Sequence, residues 1–233
     1  MAKEKYDFRS IDGIGQRNMK QRVVALATMK GGSGKSTAAL CLAAHWWHAG
    51  RNVAVIDADP QRSILRWQSS GDVLGALECI AADESNIGAT ITDCLERGIE
   101  RVVVDTPGFR AAVTETAISM AGLCLIPVRP SPVDFEIAAD KVEMIAKLRA
   151  DGSEGPTAYR FLMTQVIQGS VISRHMRSEM TAAGYPLLNV QMSHRVAYAE
   201  AALGGSTPTL EHPGGAVAKE IAALASEVDA FLE

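Results

Sequence analysis

The stretch Lys30-Gly31-Gly32-Ser33-Gly34-Lys35-Ser36-Thr37 sets two lysines around three glycines. Glycines let a backbone turn tightly enough for consecutive N–H groups to converge on phosphate oxygens, and a helix starting at the end of such a loop adds the positive end of its dipole. Lys35 is then placed to reach the β- and γ-phosphates of a nucleotide, and the Ser36 hydroxyl to ligate Mg2+. The common phosphate-loop pattern G-x-x-x-x-G-K-[ST] demands glycine where this chain has Met29, so the strict pattern fails and K-G-G-x-G-K-S stands instead. From the residues alone, Lys30 is either a solvated loop residue or a second cation for phosphate.

Three carboxylates strengthen the phosphate reading. Asp57 and Asp59 close the apolar run "NVAVIDAD", and Asp105 closes "RVVVD". An acid at such a strand end is placed to hold a water of a Mg2+ shell. Open α/β sheets bind ligands beyond the carboxyl ends of their strands, and all three acids fall there. One strand-end aspartate is commonly a turn or capping residue; three behind a glycine loop point to a shared ligand.

The elements that must position these groups follow from the hydrophobic pattern. Short β-branched runs alternate with longer helical stretches, which produces parallel strands covered by helices. The strands are expected at "VVALAT", "NVAVIDAD", "LECIAA", "RVVVD", "LCLIPV", "YRFLMTQ" and "PLLNVQM". Their near-continuous apolarity fits burial on both faces. Helices are expected over about 35–49, 63–70, 87–97, 110–119, 134–150, 171–183, 196–203 and 216–232. The segments 151–156 and 204–215 read as loops. The fold class is therefore α/β, a doubly wound, mostly parallel sheet with helices on both faces. Residues 1–21 precede the first strand and read as an N-terminal extension, with a single domain over 22–233.

Composition bounds the rest. The chain has 233 residues, 47% of them hydrophobic and 21% charged, which suits one soluble globular domain rather than a disordered chain. No apolar run approaches the roughly 20 residues that span a bilayer, and the polar start lacks a signal peptide's apolar stretch. A cytoplasmic location is expected. The four cysteines, Cys41, Cys79, Cys94 and Cys124, form no CxxC pair and read as small core residues. With a net charge of −4, any contact with nucleic acid has to come from a local patch.

The set of motifs resembles a known family. K30-G-G-S-G-K-S36, D57-A-D-P-Q61 with Ser63 and Trp67 following, V104-D-T-P-G108 and "PVRPSPVDF" (Pro127 to Phe135) are similar to the ParA/MinD branch of deviant Walker A P-loop ATPases. Within it, "DPQRSILRW" looks most like the short ParA proteins of plasmid partition and their relatives that position other cargo. The resemblance implies ATP and Mg2+ as cofactors, with Gly31, Gly32, Ser33, Gly34, Lys35, Ser36 and Thr37 cradling the phosphates. It implies that Lys30 crosses to the phosphates of a partner subunit, so that a homodimer forms when ATP is bound. It assigns Asp59 to the attacking water, and Asp57 and Asp105 to Mg2+ through its water shell. No arginine finger is evident, which implies slow basal hydrolysis accelerated by an adaptor protein of ParB type. Gln165 and Met192 follow late strands where an adenine ring can rest.

Relatives in this branch bind DNA non-specifically through basic residues of the later half. Between Arg160 and Arg195 the only acid is Glu179, and Arg174, Arg177 and Arg195 are the expected DNA contacts, with nucleoid association as the consequence. An ordinary solvated helix face is the competing reading. MinD-type relatives instead lie on membrane through a basic amphipathic C-terminal helix. Here residues 216–233 carry one lysine and four acids, a charge that anionic lipid repels, so membrane association is not expected. A MinD-like membrane ATPase and a P-loop biosynthetic synthetase are the alternatives to a positioning ATPase.

Overall fold

The apolar runs fold into six parallel strands: β1 (Val23–Thr28), β2 (Val53–Asp57), β3 (Glu78–Ala81), β4 (Arg101–Gly108), β5 (Leu123–Val128) and β6 (Ala158–Met163). The computed structural model describes residues 19–28, 31–108, 111–134, 145 and 158–233. Strand order across the sheet is β3-β2-β4-β1-β5-β6. The described helices are α1 (Lys35–His48), α2 (Ser63–Gln68), α3 (Ile87–Glu96), α4 (Ala112–Ser119), α5 (Val171–Ala182), α6 (Val196–Leu203), α7 (Pro208–Glu211) and α8 (Ala216–Leu232).

Side chains alternate across a strand, and that alternation sorts the core into two layers. Val23, Ala25 and Ala27 of β1 share one layer with Ile87 and Ile91 of α3, Ala117 and Ile118 of α4, and Met176 and Met180 of α5. Val24 and Leu26 share the other with Leu40 and Leu42 of α1 and with Ile221, Leu224 and Val228 of α8. Both faces are thus covered, which is why the strands read as unbroken apolar runs rather than as alternating ones. The apolar stripe of α8 is spent on this core, its Ile221, Leu224 and Val228 being fully buried.

The topology sets the site. β1 lies between β4 and β5, so the loop leaving it emerges at the middle of the sheet's carboxyl edge. Asp57 is in register with Asp105 on the neighbouring strand, which puts both beside that loop.

Two expectations differ from the structure, and two more fall largely outside the described residues. The stretch "PLLNVQM" forms no ladder but only isolated bridges, Phe161 with Leu187 and Val166 with Ser193. The cause is Glu227 of α8, whose carboxylate accepts from the N–H groups of Asn189 and Val190 at 2.8 Å each and draws them off the edge of β6. The 204–215 loop contains the short helix α7, begun by Pro208, whose fixed φ suits a first helical turn. The expected helix over 134–150 lies almost wholly outside the described residues, as does the expected extension apart from Met19, Lys20 and Gln21.

Candidate nucleotide site

The loop between β1 and α1 turns through two glycines in the left-handed region, Gly32 at φ +74° and Gly34 at φ +81°. A side chain is strained at either position. Gly34 delivers the chain directly into α1. The loop is braced from the next strand but one: Thr164 Oγ1 donates to Ser33 O at 2.7 Å, and Gln165 Nε2 donates to Gly32 O at 2.6 Å. Ser33 Oγ is buried and has no hydrogen-bond partner among the described residues. A buried hydroxyl without a partner is costly unless a ligand completes it.

Lys35, only 8% exposed, sits between two acids. Its Nζ donates to Asp105 Oδ1 at 2.5 Å and to Asp59 Oδ2 at 3.4 Å. Ser36 Oγ donates to the other Asp105 oxygen at 2.6 Å. Asp105 is fully buried. Burial pushes its carboxyl up to about 6, the Lys35 ammonium and the Ser36 hydroxyl pull it down, and the charge on Asp57 adds a further push upward. Asp59 is held by one oxygen, which accepts from Gln61 N–H at 2.9 Å. Its other oxygen meets only Lys35 among the bonds of the described residues.

Asp57 faces a different way. Its carboxylate accepts from the N–H groups of Asp59 at 3.3 Å and of Ile64 and Leu65 at 3.1 Å each. Three of its roughly four lone-pair sites are therefore engaged by backbone, and the residue anchors the start of α2. Arg62, at φ +50°, completes this turn by donating to Asp57 O and, at 2.8 Å, to Ala82 O.

Two adjoining cavities open on the loop. One, of about 480 Å³, is lined by Gly31 to Thr37 with Asp59, Gln61, Ser63 and Trp67. The second, of about 360 Å³, shares Gly34, Thr37 and Trp67 with the first and is walled by Thr164, Gln165, Met192, Ser193, Arg195 and Tyr198 among others. Phosphate groups fit the first, where backbone N–H groups and Lys35 converge. The second suits an uncharged ring attached to them.

Of the residues expected from sequence, the structure brings together Gly31, Gly32, Ser33, Gly34, Lys35, Ser36, Thr37, Asp59 and Asp105. Gln165 and Met192 line the second cavity, and Gln165 also braces the loop. Lys30 lies outside the described residues. The three arginines of the expected DNA surface are used unequally. Arg177 donates to Leu188 O at 3.1 Å and to Gln191 Oε1 at 3.2 Å, a half-buried position that depresses its pKa through loss of water. Arg174 is exposed and donates to Gly169 O, and Arg195 caps α6 at the second cavity. Sequence reasoning missed Thr164 and Arg62. Thr164 carries one available signal, a hydroxyl residue at a strand's carboxyl end; the positive φ of Arg62 has none.

The geometry is that of a mononucleotide site on a P-loop sheet, and comparison with known proteins decides its kind. The family profile described as VirC1 protein matches residues 21–207. The chain belongs to the VirC1 family, within the ParA/MinD superfamily of ATPases. Protein ParA of Rhizobium radiobacter is 30% identical to this VirC1-family chain over 205 residues, 85% of the chain and 90% of that relative. The maintenance of carboxysome distribution protein A of Halothiobacillus neapolitanus is 28% identical over 213 residues, 90% of the chain and 97% of the relative. Among solved structures, apo McdA of Cyanthece superposes with a TM-score of 0.72 at 17% identity, over 91% of this chain and 99% of that one. That likeness establishes the shared fold. The family is one of partitioning and positioning ATPases.

Proposed function

We propose that this VirC1-family protein is a Mg2+-dependent ATPase that dimerises with ATP bound, holds DNA without sequence preference, and positions a plasmid, chromosome or protein cargo through an adaptor of ParB type. The observation that carries this reading is Lys35, held between Asp105 and Asp59 at the floor of a glycine-lined cavity. The orphaned Ser33 hydroxyl in the same wall supports a phosphate ligand. The donor set also fits a hard cation: Ser36 Oγ and Asp105 Oδ2 lie 2.6 Å apart and offer oxygen only. Ser36 would hold Mg2+, and Asp105, with Asp57 behind it, the water of its shell. When bound, that ion neutralises charge on the β- and γ-phosphates.

The chain's own residues give the remaining steps. A triphosphate offers Lys35 more negative charge than its two carboxylates do, so binding draws the ammonium off Asp59. The freed Asp59 oxygen then accepts from a water, while the other stays fixed by Gln61 N–H. Asp59 so aims that water at the γ-phosphorus, the bond to the β–γ bridging oxygen breaks, and ADP and phosphate result. Basal turnover is slow, in keeping with a sequence in which no arginine finger is evident.

Dimerisation places Lys30 against the partner's phosphates. In its support, Ile167, Val171 and Val196 are 61%, 73% and 68% exposed, large apolar side chains suited to burial between subunits. DNA binding engages Arg174, Arg177 and Arg195, of which Arg177 also ties Leu188 O and Gln191 Oε1. The names of the relatives support partition or positioning, and the choice of cargo lies with the adaptor.

The test is one substitution and two readouts. Asp59→Ala is expected to bind ATP and form a dimer on a sizing column, while phosphate release falls by about two orders of magnitude or more, a typical loss for a positioned acid–base group. Undiminished phosphate release by that variant overturns the assignment.

A further inference from the structure

Glu220 lies on α8, outside the phosphate site, yet its carboxylate reaches the wall of the second cavity. One oxygen accepts from Ser193 N–H at 2.9 Å and from the Tyr198 hydroxyl at 2.9 Å, and the other accepts from the Ser193 hydroxyl at 2.5 Å. Ser193 and Tyr198 both line that cavity. A carboxylate with three donors on it is acceptor-only, so both hydroxyl protons are committed to Glu220. What Ser193 and Tyr198 keep for a ligand is lone pairs.

The same wall spends several of its other donors internally. The N–H groups of Thr164, Val166, Met192 and His194 go to Val128, Met192, Met163 and Val166 carbonyls, at 2.9, 3.0, 2.8 and 2.8 Å. Thr164 Oγ1 and Gln165 Nε2 donate into the phosphate loop, leaving Gln165 Oε1 as an acceptor. The side chains of Arg195, His194 and Thr37 and the second N–H of Gln165 Nε2 are the donors that remain. A ring in this cavity therefore meets hydroxyl and amide groups that can accept from it.

We propose that Glu220 is a positioning residue for nucleobase selectivity: by holding the protons of Ser193 and Tyr198, it makes the wall accept from the 6-amino group of an adenine and reject the 6-oxo group of a hypoxanthine or guanine. This rests on reading the two cavities as one nucleotide site. Unmatched polar groups in a buried site discriminate more sharply than missing apolar contact does. Glu220→Gln reverses the pattern, since the new amide donates to one of the two hydroxyls and frees that hydroxyl's proton to point at the base.

The experiment compares dissociation constants for ATP and ITP, which differ in the group at C6 and in the proton that accompanies the 6-oxo group on N1, in the presence of Mg2+ and with the full chain. The wild-type protein is expected to favour ATP by about tenfold or more, in line with one unmatched hydrogen bond. In Glu220→Gln the preference should shrink at least about fivefold, with ITP binding more tightly than it does to the wild type. That gain is the decisive readout, because a merely destabilised fold binds both nucleotides worse. Ser193→Ala and Tyr198→Phe remove the hydroxyls one at a time, and at least one of them should cut the ATP preference even if Glu220→Gln fails to fold. Equal binding of ATP and ITP by the wild type, or a preference unchanged in every variant that folds, overturns the proposal. Failure of the wild type to bind either nucleotide instead overturns the nucleotide reading itself.

Discussion

Asp105 is fully buried, yet it faces an ammonium, a hydroxyl and, on the adjacent strand, a second carboxylate. Burial outweighs the two favourable partners, so its carboxyl titrates near 6 rather than at the 3.8 of a free side chain. The sign of the linkage follows. A carboxyl raised in the folded state binds its proton more tightly there than in the unfolded chain, so its stabilisation is complete below about pH 4 and is lost as pH rises through about 6. A rise of that size corresponds to about 3 kcal/mol. Asp105→Asn cannot titrate, so the stability of the nucleotide-free protein relative to this variant should fall by about that amount between about pH 4 and pH 6.5. Urea unfolding of both proteins across that range measures it, and a constant difference would show that Asp105 is not raised. The cost identifies what a ligand does here. A group strained by its own ionisation at neutral pH is relieved by a bound cation, and the fold tolerates the strain because the site needs the charge.

At the scale of elements, the segment that carries Asp59 is tied to a distant part of the chain. Trp67 of α2 donates its indole N–H to Ser206 O at 2.8 Å. Just past α2 the backbones touch: a Cβ at Gly71 would lie 2.2 Å from Gly204 O, and one at Gly205 would lie 2.3 Å from Gly71 N. Gly71→Ala should therefore push α2 off the turn after α6 and cost about 1–3 kcal/mol, as overpacking does elsewhere. At about 2–4 °C per kcal/mol for a chain of this size, thermal unfolding resolves the loss. Gly214→Ala, with nothing within 4 Å and an ordinary φ, is the matched control and should change little. This contact also shows what sequence could and could not reveal. β1, β5, α6 and α8 begin and end where the hydrophobic pattern places them, because two-sided burial leaves a periodic record in a single stretch of chain. The glycine loop is legible for another reason, its residues being contiguous from Gly31 to Thr37. Two of the misses involve groups distant in sequence: Glu227 taking up N–H groups of the strand expected at "PLLNVQM", and Thr164 bracing Ser33. No local pattern encodes a partner that many residues away.

Over the whole molecule, the described core falls into two layers, one on each face of the sheet, and the cysteines report on each separately. Cys41 belongs to the layer under α1 and α8, and Cys94 to the layer under α3 and α4. Cys79 is half-buried on β3 against the first of these layers. Loss of water pushes the Cys41 and Cys79 thiols up to about 12, with Glu220 adding to the first and Asp57 and Glu78 to the second, and burial raises Cys94 as well. The thiolate is the reactive form, so these three thiols should be nearly inert to Ellman's reagent at about pH 8 in the folded protein. The linkage has a definite sign. Each thiol is raised on folding, so its stabilisation is complete below about pH 9 and falls as pH climbs above that; for Cys41 and Cys79 the loss runs on toward about pH 12, by about 1.4 kcal/mol per thiol for each step of one in pH. If β1, β4 and β2 bind the two layers into one cooperative unit, Cys41 and Cys94 must become reactive at the same urea concentration. Labelling followed by peptide mapping reads both at once. A Cys94 that reacts well before Cys41 would mean that the α3–α4 layer opens while the α1–α8 layer, and with it the phosphate loop at the head of α1, stays closed.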